Sequence, residues 1–198
     1  MLTKPNILRL VFFIAAFAGA LYIPLREVLA FERPKNPPVE MRFRIGGYDP
    51  YDPSVGNYLR LHTLTELSIS AEDARQPGLN GRRPKAFVLF ETDRDGMARA
   101  AGLVPADRMP AGKTFVKAAF RLSGKDDGKE RRCEILLPFD RYYINRKLDD
   151  NAQNLLRKAT AAAKPAVLVV DVYADGRYAV KDLLIDGKPL HEYLAPKK

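Results

Sequence analysis

"AVLVVDVYADGRYAVKDLL" (Ala166–Leu184) decides the fold. Its first seven residues are apolar apart from Asp171 and rich in valine, the pattern of a buried strand. Asp175-Gly176 then supplies the positive φ that a tight hairpin turn demands. "YAVKDLL" returns antiparallel. The same recipe stands earlier in the chain, where "AFVLFETDRDGMARAAGLV" (Ala86–Val104) aligns on it without a gap. Asp95-Gly96 falls on Asp175-Gly176, and Leu103 falls on Leu183. Two related β units about a pseudo-twofold axis would explain the match. Strand–Asp-Gly–strand is also a common hairpin formula, so the two hairpins must share a sheet environment for the repeat to stand. A looser echo, "YDPY" at Tyr48 against "FDRY" at Phe139, extends the pattern. Each half would run strand, aromatic-Asp corner, connecting element and hairpin, the connecting element being a strand in the first half and a helix in the second.

Working outward, "MRFRIGG" sets Met41, Phe43 and Ile45 against Arg42 and Arg44, a half-buried strand. "YLRLHTLTELSI" alternates with a slip at Thr63–Leu64, which reads as a bulge or a bend. "KTFVKAAFRL" and "RRCEILLP" form a hairpin around the charged loop "SGKDDGKE". In "LDDNAQNLLRKATAAAK", Leu148, Ala152, Leu155, Leu156, Ala159 and Ala163 share one helical face. Asp149 or Asp150 can cap that helix, and Pro165 ends it. With 15 prolines and 13 glycines in 198 residues, turns are frequent, which favours strands over long helices. The expected class is mainly β: a β-rich α+β domain with one short helix, behind a single membrane helix.

That membrane helix is "LVFFIAAFAGALYIPL" (Leu10–Leu25), which carries no charge. Extended back to Ile7 it spans about 28 Å, near the thickness of a bilayer core. Lys4 and Arg9 lie on its N-terminal side, so the positive-inside rule keeps that end cytoplasmic and exports the rest of the chain. A cleaved signal peptide is the competing reading, with Val28-Leu29-Ala30 as a cleavage site. An uncleaved anchor fits better, because Arg26 and Glu27 crowd that site. Ala15 and Gly19, and Ala16 and Ala20, lie four apart and would let a second helix approach closely; Ala and Gly are also simply common in such helices. "ERPKNPPVE" (Glu32–Glu40) is a stiff spacer. The expected organisation is an anchor over 1–30, a Pro-rich linker over 31–40 and an exported domain over 41–198.

Composition narrows the function classes. The formal charge is +9, but the basic residues are scattered, and no nucleic-acid motif accompanies them. Nucleic acid is set aside; a basic surface beside anionic lipid is the better use of that charge. Cys133 is the single cysteine, so no internal disulfide is possible, and with two distant histidines, His62 and His191, a metal site is poorly supplied. Asp49, Asp52, Asp93 and Asp95 lack the ligand pattern of a calcium loop. Ser123 and Lys125 lie among charges that would keep the lysine protonated and useless as a base. His62 alternates with Leu59 and Leu61 and faces solvent, and His191 has no partner legible in sequence. No catalytic residue, cofactor or metal is predicted.

"YDPYDPSVGNYLRL" (Tyr48–Leu61) holds the remaining candidates. Each Asp-Pro fixes an extended unit, and Asp49 and Asp52 can close Asx turns. Gly56 and Asn57 tolerate positive φ before the chain enters a strand at Tyr58. The stretch reads as a stiff corner between antiparallel strands. Tyr48, Tyr51 and Tyr58 also make it a candidate partner surface, since rigid tyrosines give good contact area.

At Gly56-Asn57-Tyr58-Leu59-Arg60-Leu61-His62-Thr63 the chain resembles the GDYXXLXY family. Gly56, Tyr58 and Leu61 fit that pattern; Asn57 stands where it has Asp, and Thr63 where it has Tyr. The surroundings are similar too. They comprise the Asp49-Pro50-Tyr51-Asp52-Pro53 corner, the aromatic corner Phe139-Asp140-Arg141-Tyr142-Tyr143 and the closing "DGRYAVKDLLIDG". The likeness covers Met41 to Leu190. It implies a bacterial membrane-anchored protein without assigned activity, often encoded beside multi-pass membrane proteins, and it brings no catalytic residues. The expectation is a single-pass inner-membrane protein with a periplasmic domain, acting as a non-enzymatic accessory or interaction subunit with a multi-pass partner. An envelope module for glycan or anionic lipid is the alternative, and a hydrolase with an unrecognised site stands behind both.

Overall fold

The computed structural model describes residues 4–49 (33 and 35 excepted), 58–63, 65–70, 84–123, 130–145, 149–161 and 165–194. Two compact units divide the chain, Met1–Pro37 and Pro38–Lys198. The first is built on α1 (Lys4–Glu32), a helix of 29 residues. Its segment Arg9–Leu29 is long and apolar enough to cross a membrane, and its described side chains are exposed. Pro24 lies inside the helix. A proline costs least where the freed carbonyl finds other partners, as it can in a membrane helix.

The second unit is two antiparallel sheets. Its elements in chain order are β1 (Val39–Asp49), β2 (Tyr58–Thr63), β3 (Glu66–Ser70), β4 (Lys85–Thr92), β5 (Ala98–Pro105), β6 (Thr114–Ser123), β7 (Glu130–Leu136) and β8 (Arg141–Tyr143). Next come α2 (Asp149–Ala161), β9 (Ala166–Val172), β10 (Tyr178–Ile185), β11 (Lys188–Pro189) and α3 (Leu190–Leu194). One sheet runs β11-β10-β9-β1-β2-β8 and the other β3-β7-β6-β4-β5.

The repeat is built into these orders. Exchange β1 for β6, β2 for β7, β3 for β8, β4 for β9 and β5 for β10, and β10-β9-β1-β2-β8 becomes β5-β4-β6-β7-β3. Each sheet therefore combines a hairpin from each half of the chain. Register agrees to the residue. Leu89 faces Gly102, then a bulge intervenes, and Phe90 faces Ala100. In the second half Val169 faces Asp182, then a bulge intervenes, and Val170 faces Val180. The turns match as well: Asp93 N–H donates to Met97 O at 2.8 Å and Tyr173 N–H to Arg177 O at 2.9 Å. Gly96 and Gly176 hold φ of 77° and 80°. On the far side, Ile135 N–H donates to Thr65 O at 3.2 Å as Leu61 N–H donates to Asp140 O at 2.7 Å.

The topology decides one open detail of the sequence reading and corrects two others. The slip at Thr63–Leu64 is where the chain leaves one sheet for the other: β2 ends at Thr63, and β3 begins at Glu66 in the five-stranded sheet. The nearby bulge lies on β1, between Ile45 and Gly47. The counterpart of "FDRY" is the segment leading into β3, not "YDPY", because Leu67 faces Cys133 as Tyr142 faces Leu59. The strand before the first hairpin therefore corresponds to β7 and β8 rather than to α2.

Apolar burial between the sheets holds them together. Phe43 sets its ring edge-on to Phe90 of the other sheet at 5.2 Å and tilts against Phe139 at 4.8 Å. In β1, Met41 and Phe43 are buried and Arg42 and Arg44 exposed, the period of two that a one-sided strand requires. β9 is buried at every position from Ala166 to Val170, whereas β1 beside it alternates. The helix α2 buries Ala152, Leu156 and Ala159 as the periodicity predicts, packing near β1 and β9; Leu148 and Ala163 fall outside the described residues.

Candidate functional site

The strand that carries the family-like motif, β2, meets the aromatic corner at Phe139–Tyr143 in the structure. β2 and β8 pair antiparallel, with Tyr58 facing Tyr143, Leu59 facing Tyr142 and Arg60 facing Arg141. Alternation along β8 leaves Arg141 and Tyr143 exposed and Tyr142 half-buried. The exposed Arg141 guanidinium lies over the Tyr58 ring at 4.8 Å, and Tyr58 and Tyr143 approach at 5.9 Å. Asp140 sits between two cations, Arg60 at 3.6 Å and Arg141 at 3.8 Å.

The segment before β8 reaches β10, the strand at the far end of the same sheet apart from β11. Phe139 is buried against Tyr178 at 5.2 Å, and the Tyr178 hydroxyl donates to Pro138 O at 3.2 Å. The Tyr142 hydroxyl donates to Asp182 Oδ1 at 3.3 Å, and the same oxygen accepts the Leu183 N–H at 2.7 Å. His191 Nδ1 lies 3.8 Å from the other Asp182 oxygen, so the sequence reading of His191 as partnerless is corrected. Lys181 is the bulged residue of β10 and donates to Glu40 Oε2 at 2.8 Å. Between residues 138–143 and Tyr178, Val180 and Lys181 opens a cleft of about 650 Å³, within the size range of small-ligand sites.

Burial and ion pairing shift several titrating groups in and around this cleft. Burial, with Asp182 beside it, pushes the Tyr142 hydroxyl up to about 12. Burial raises Tyr178 as well, helped by Asp140 and Tyr143. Both stay neutral donors at neutral pH. Glu40 is held below the usual carboxylate range, chiefly by its bond from Lys181 and then by Arg42. Cys133 is fully buried, and that burial pushes its thiol up to about 11, where it is inert as a nucleophile. Among the described residues no three His, Cys, Asp or Glu side chains gather into a metal-binding group. Asp93 is occupied as a turn acceptor for the Asp95 and Met97 N–H groups at 2.9 and 2.8 Å.

Of the residues singled out in sequence, Tyr58, Leu61, Phe139, Asp140, Arg141 and Tyr142 are brought together by β2 and β8. Leu61 is core, and its contribution to the corner is its backbone bond. Tyr48 and Asp49 end β1, opposite Leu61 and Arg60. Tyr51, Asp52, Gly56 and Asn57 lie outside the described residues, as do Leu64 and Lys125. β1 and β2, which the corner joins, are antiparallel neighbours. Ala15, Ala16, Gly19 and Ala20 are exposed on α1. Sequence reasoning missed Tyr178, Lys181 and Asp182. The repeat could have found them: the first half has Ala98, Ala101 and Gly102 at the matching positions.

A membrane-length apolar helix followed by a two-sheet antiparallel domain with a tyrosine-lined cleft defines the class. Within that class the chain belongs to the GDYXXLXY protein family, whose sequence model matches residues 23–183. No curated protein and no solved structure matches the chain.

Proposed function

We propose that the protein is a single-pass inner-membrane protein whose periplasmic β domain is a non-enzymatic binding and interaction module. α1 would anchor it with the N-terminus in the cytoplasm and would pack against a multi-pass membrane partner through Ala15, Ala16, Gly19 and Ala20. The cleft between β8 and β10 is the observation that carries the binding role. It gathers aromatic and ionic side chains at a sheet end but holds no activated nucleophile or base among its described residues. Ala and Gly four apart on one face support the helix partner, by letting backbones approach.

Sidedness is tested by protease added to intact spheroplasts. The C-terminal end should be digested from outside; protection until lysis refutes the export. Purification in mild detergent should bring down a stoichiometric multi-pass protein, and Gly19→Leu should release it. Recovery of the chain alone argues against the partner. The cleft's lining also favours a second reading, in which the domain binds an envelope glycan or lipid directly.

A further inference from the structure

The two halves of the β domain differ at positions where the fold makes the same demands. Arg141, Tyr142 and Tyr143 of β8 take the places held by Glu66, Leu67 and Ser68 of β3. Tyr178, Lys181 and Asp182 of β10 take those of Ala98, Ala101 and Gly102 of β5. The backbone pairing is the same in each case, down to the bulge. Strand geometry therefore asks for no ring at these sites, since the other half makes the same ladder with Glu, Leu, Ser, Ala and Gly. The first half also encloses a seam at the matching place, between β3 and β5, but it measures about 270 Å³ against about 650 Å³. An ion pair crosses there, Arg132 to Glu66 at 3.7 Å, where the second half has Tyr58 and Arg141. Aromatic groups are thus concentrated on one of two equivalent seams, the larger one, while the smaller is lined by Glu66, Ser68, Arg99 and Arg132.

The charged groups of that seam are paired locally. Arg141 lies 3.8 Å from Asp140, Lys181 is bonded to Glu40, and Asp182 accepts from Tyr142 with His191 3.8 Å away. Each cation that lines the cleft is already set against a carboxylate, Asp140 being shared with Arg60 and Glu40 with Arg42, so a phosphate or carboxylate ligand would have to compete with those partners. The cleft instead offers a mixture of donors and acceptors beside aromatic faces, with Tyr143 71% exposed and Tyr178 half-buried. A sugar ring matches that mixture. Its hydroxyls donate to carboxylates and accept from guanidinium and ammonium groups, and its C–H face can lie against a tyrosine ring, which is apolar in body and polar only at its tip.

We infer that the β8–β10 cleft binds a neutral oligosaccharide, with Tyr143 and Tyr178 as stacking faces and the Asp140–Arg141 pair as hydroxyl contacts. The inference rests on reading the domain as a binding module and names the class of its ligand. The test uses the full chain in lauryldimethylamine oxide, a detergent without a sugar head group, with tetra-N-acetylchitotetraose and maltotetraose as probes. Saturation-transfer NMR and calorimetry should detect saturable binding of at least one probe at millimolar affinity or tighter. Tyr143→Ala and Tyr178→Ala should each weaken it roughly tenfold or more. Arg132→Ala, on the opposite seam, should leave it unchanged. Circular dichroism checks that each variant is folded, and the exposure of Tyr143 makes its variant the decisive one. Binding of neither sugar, or binding indifferent to Tyr143→Ala, overturns the inference. Co-sedimentation with phosphatidylglycerol vesicles that Tyr143→Ala abolishes would overturn it in favour of anionic lipid. Binding in micelles is independent of sidedness, so a cytoplasmic domain would refute the topology proposed above and leave this measurement standing.

Discussion

The β4–β5 and β9–β10 hairpins share register, bulge and turn, yet they meet the opposite sheet by different chemistry. At the first turn, Arg44 of β1 reaches Asp95 at 2.8 Å, and both side chains are more than half exposed. A Cβ added to Gly96 would meet nothing within 4 Å. At the second turn, the buried Phe115 ring lies so close to Gly176 that an added Cβ would stand 2.6 Å from it. One closure is wet and ionic, the other dry and tight. Hydrogen-bonded backbone fixes the shared features, because every strand must satisfy its N–H and C=O groups. Side chains at the closures obey only local packing, so they are free to diverge.

Three measurements sharpen that contrast. The largest effect is expected in the core between the sheets. Phe43 faces Leu168 as Val116 faces Val88, but only Phe43 sets its ring against both Phe90 and Phe139. Urea titration of Phe43→Ala should show a loss of about 3–5 kcal/mol. Val116→Ala removes two carbons and should lose roughly 1.6 kcal/mol by transfer alone, somewhat more with its cavity. Equal losses would mean that the two halves share the core evenly.

Next come the turn glycines. Gly96→Ala should lose about 1–2 kcal/mol, the cost of an L-residue in the left-handed region. Gly176→Ala adds an overpacking cost of about 1–3 kcal/mol against Phe115. A pair of melts in which Gly96→Ala is the worse variant would contradict the dry closure.

The smallest effect is on the alkaline limb. Tyr142 has its hydroxyl raised from 10.0 to about 12, where its counterpart Leu67 has nothing to titrate. The unfolded chain releases this proton first, so from about pH 10 to 12 it binds fewer protons than the folded chain. Stability falls as pH rises through that window; the contribution is complete below it and gone above it. Tyr178, raised for the same reason, adds in the same direction. Tyr142→Phe should lose about 0.5–1.5 kcal/mol at neutral pH by giving up its bond to Asp182. It should also flatten the decline between about pH 10 and 12, measured by denaturant midpoints across that range. An unchanged slope would place the alkaline sensitivity elsewhere.

Much of this was legible in the sequence where a local pattern carries the whole cause. Asp-Gly needs only its own backbone to specify a turn, and the alternation of Met41, Phe43 and Ile45 needs only one buried face. The hairpins, the helix face of Ala152, Leu156 and Ala159 and the apolar span were read on those grounds. The slip at Thr63–Leu64 left a bulge and a bend both open, because a bulge and a change of sheet give the same break in alternation. "FDRY" was matched to the wrong corner because composition, not pairing, suggested the match; Thr65 and Asp140 correspond through a backbone bond that no residue type announces. Tyr178, Lys181 and Asp182 read as ordinary strand residues, since no local pattern reports that β10 is to meet the segment before β8.

Sequence by itself determined the membrane-length helix, the antiparallel β class, the family and the repeated hairpin, because each depends on hydrophobicity, period or turn chemistry within a few residues. Tertiary structure alone decided that the two halves exchange strands, so that each sheet is completed by the other half's hairpin. It also decided that one of two equivalent seams opens into a tyrosine-lined cleft. Both outcomes come from pairings between residues far apart in the chain, such as Val39 with Val172 and Tyr142 with Asp182. A one-dimensional pattern records the period of a strand but not the identity of its neighbour.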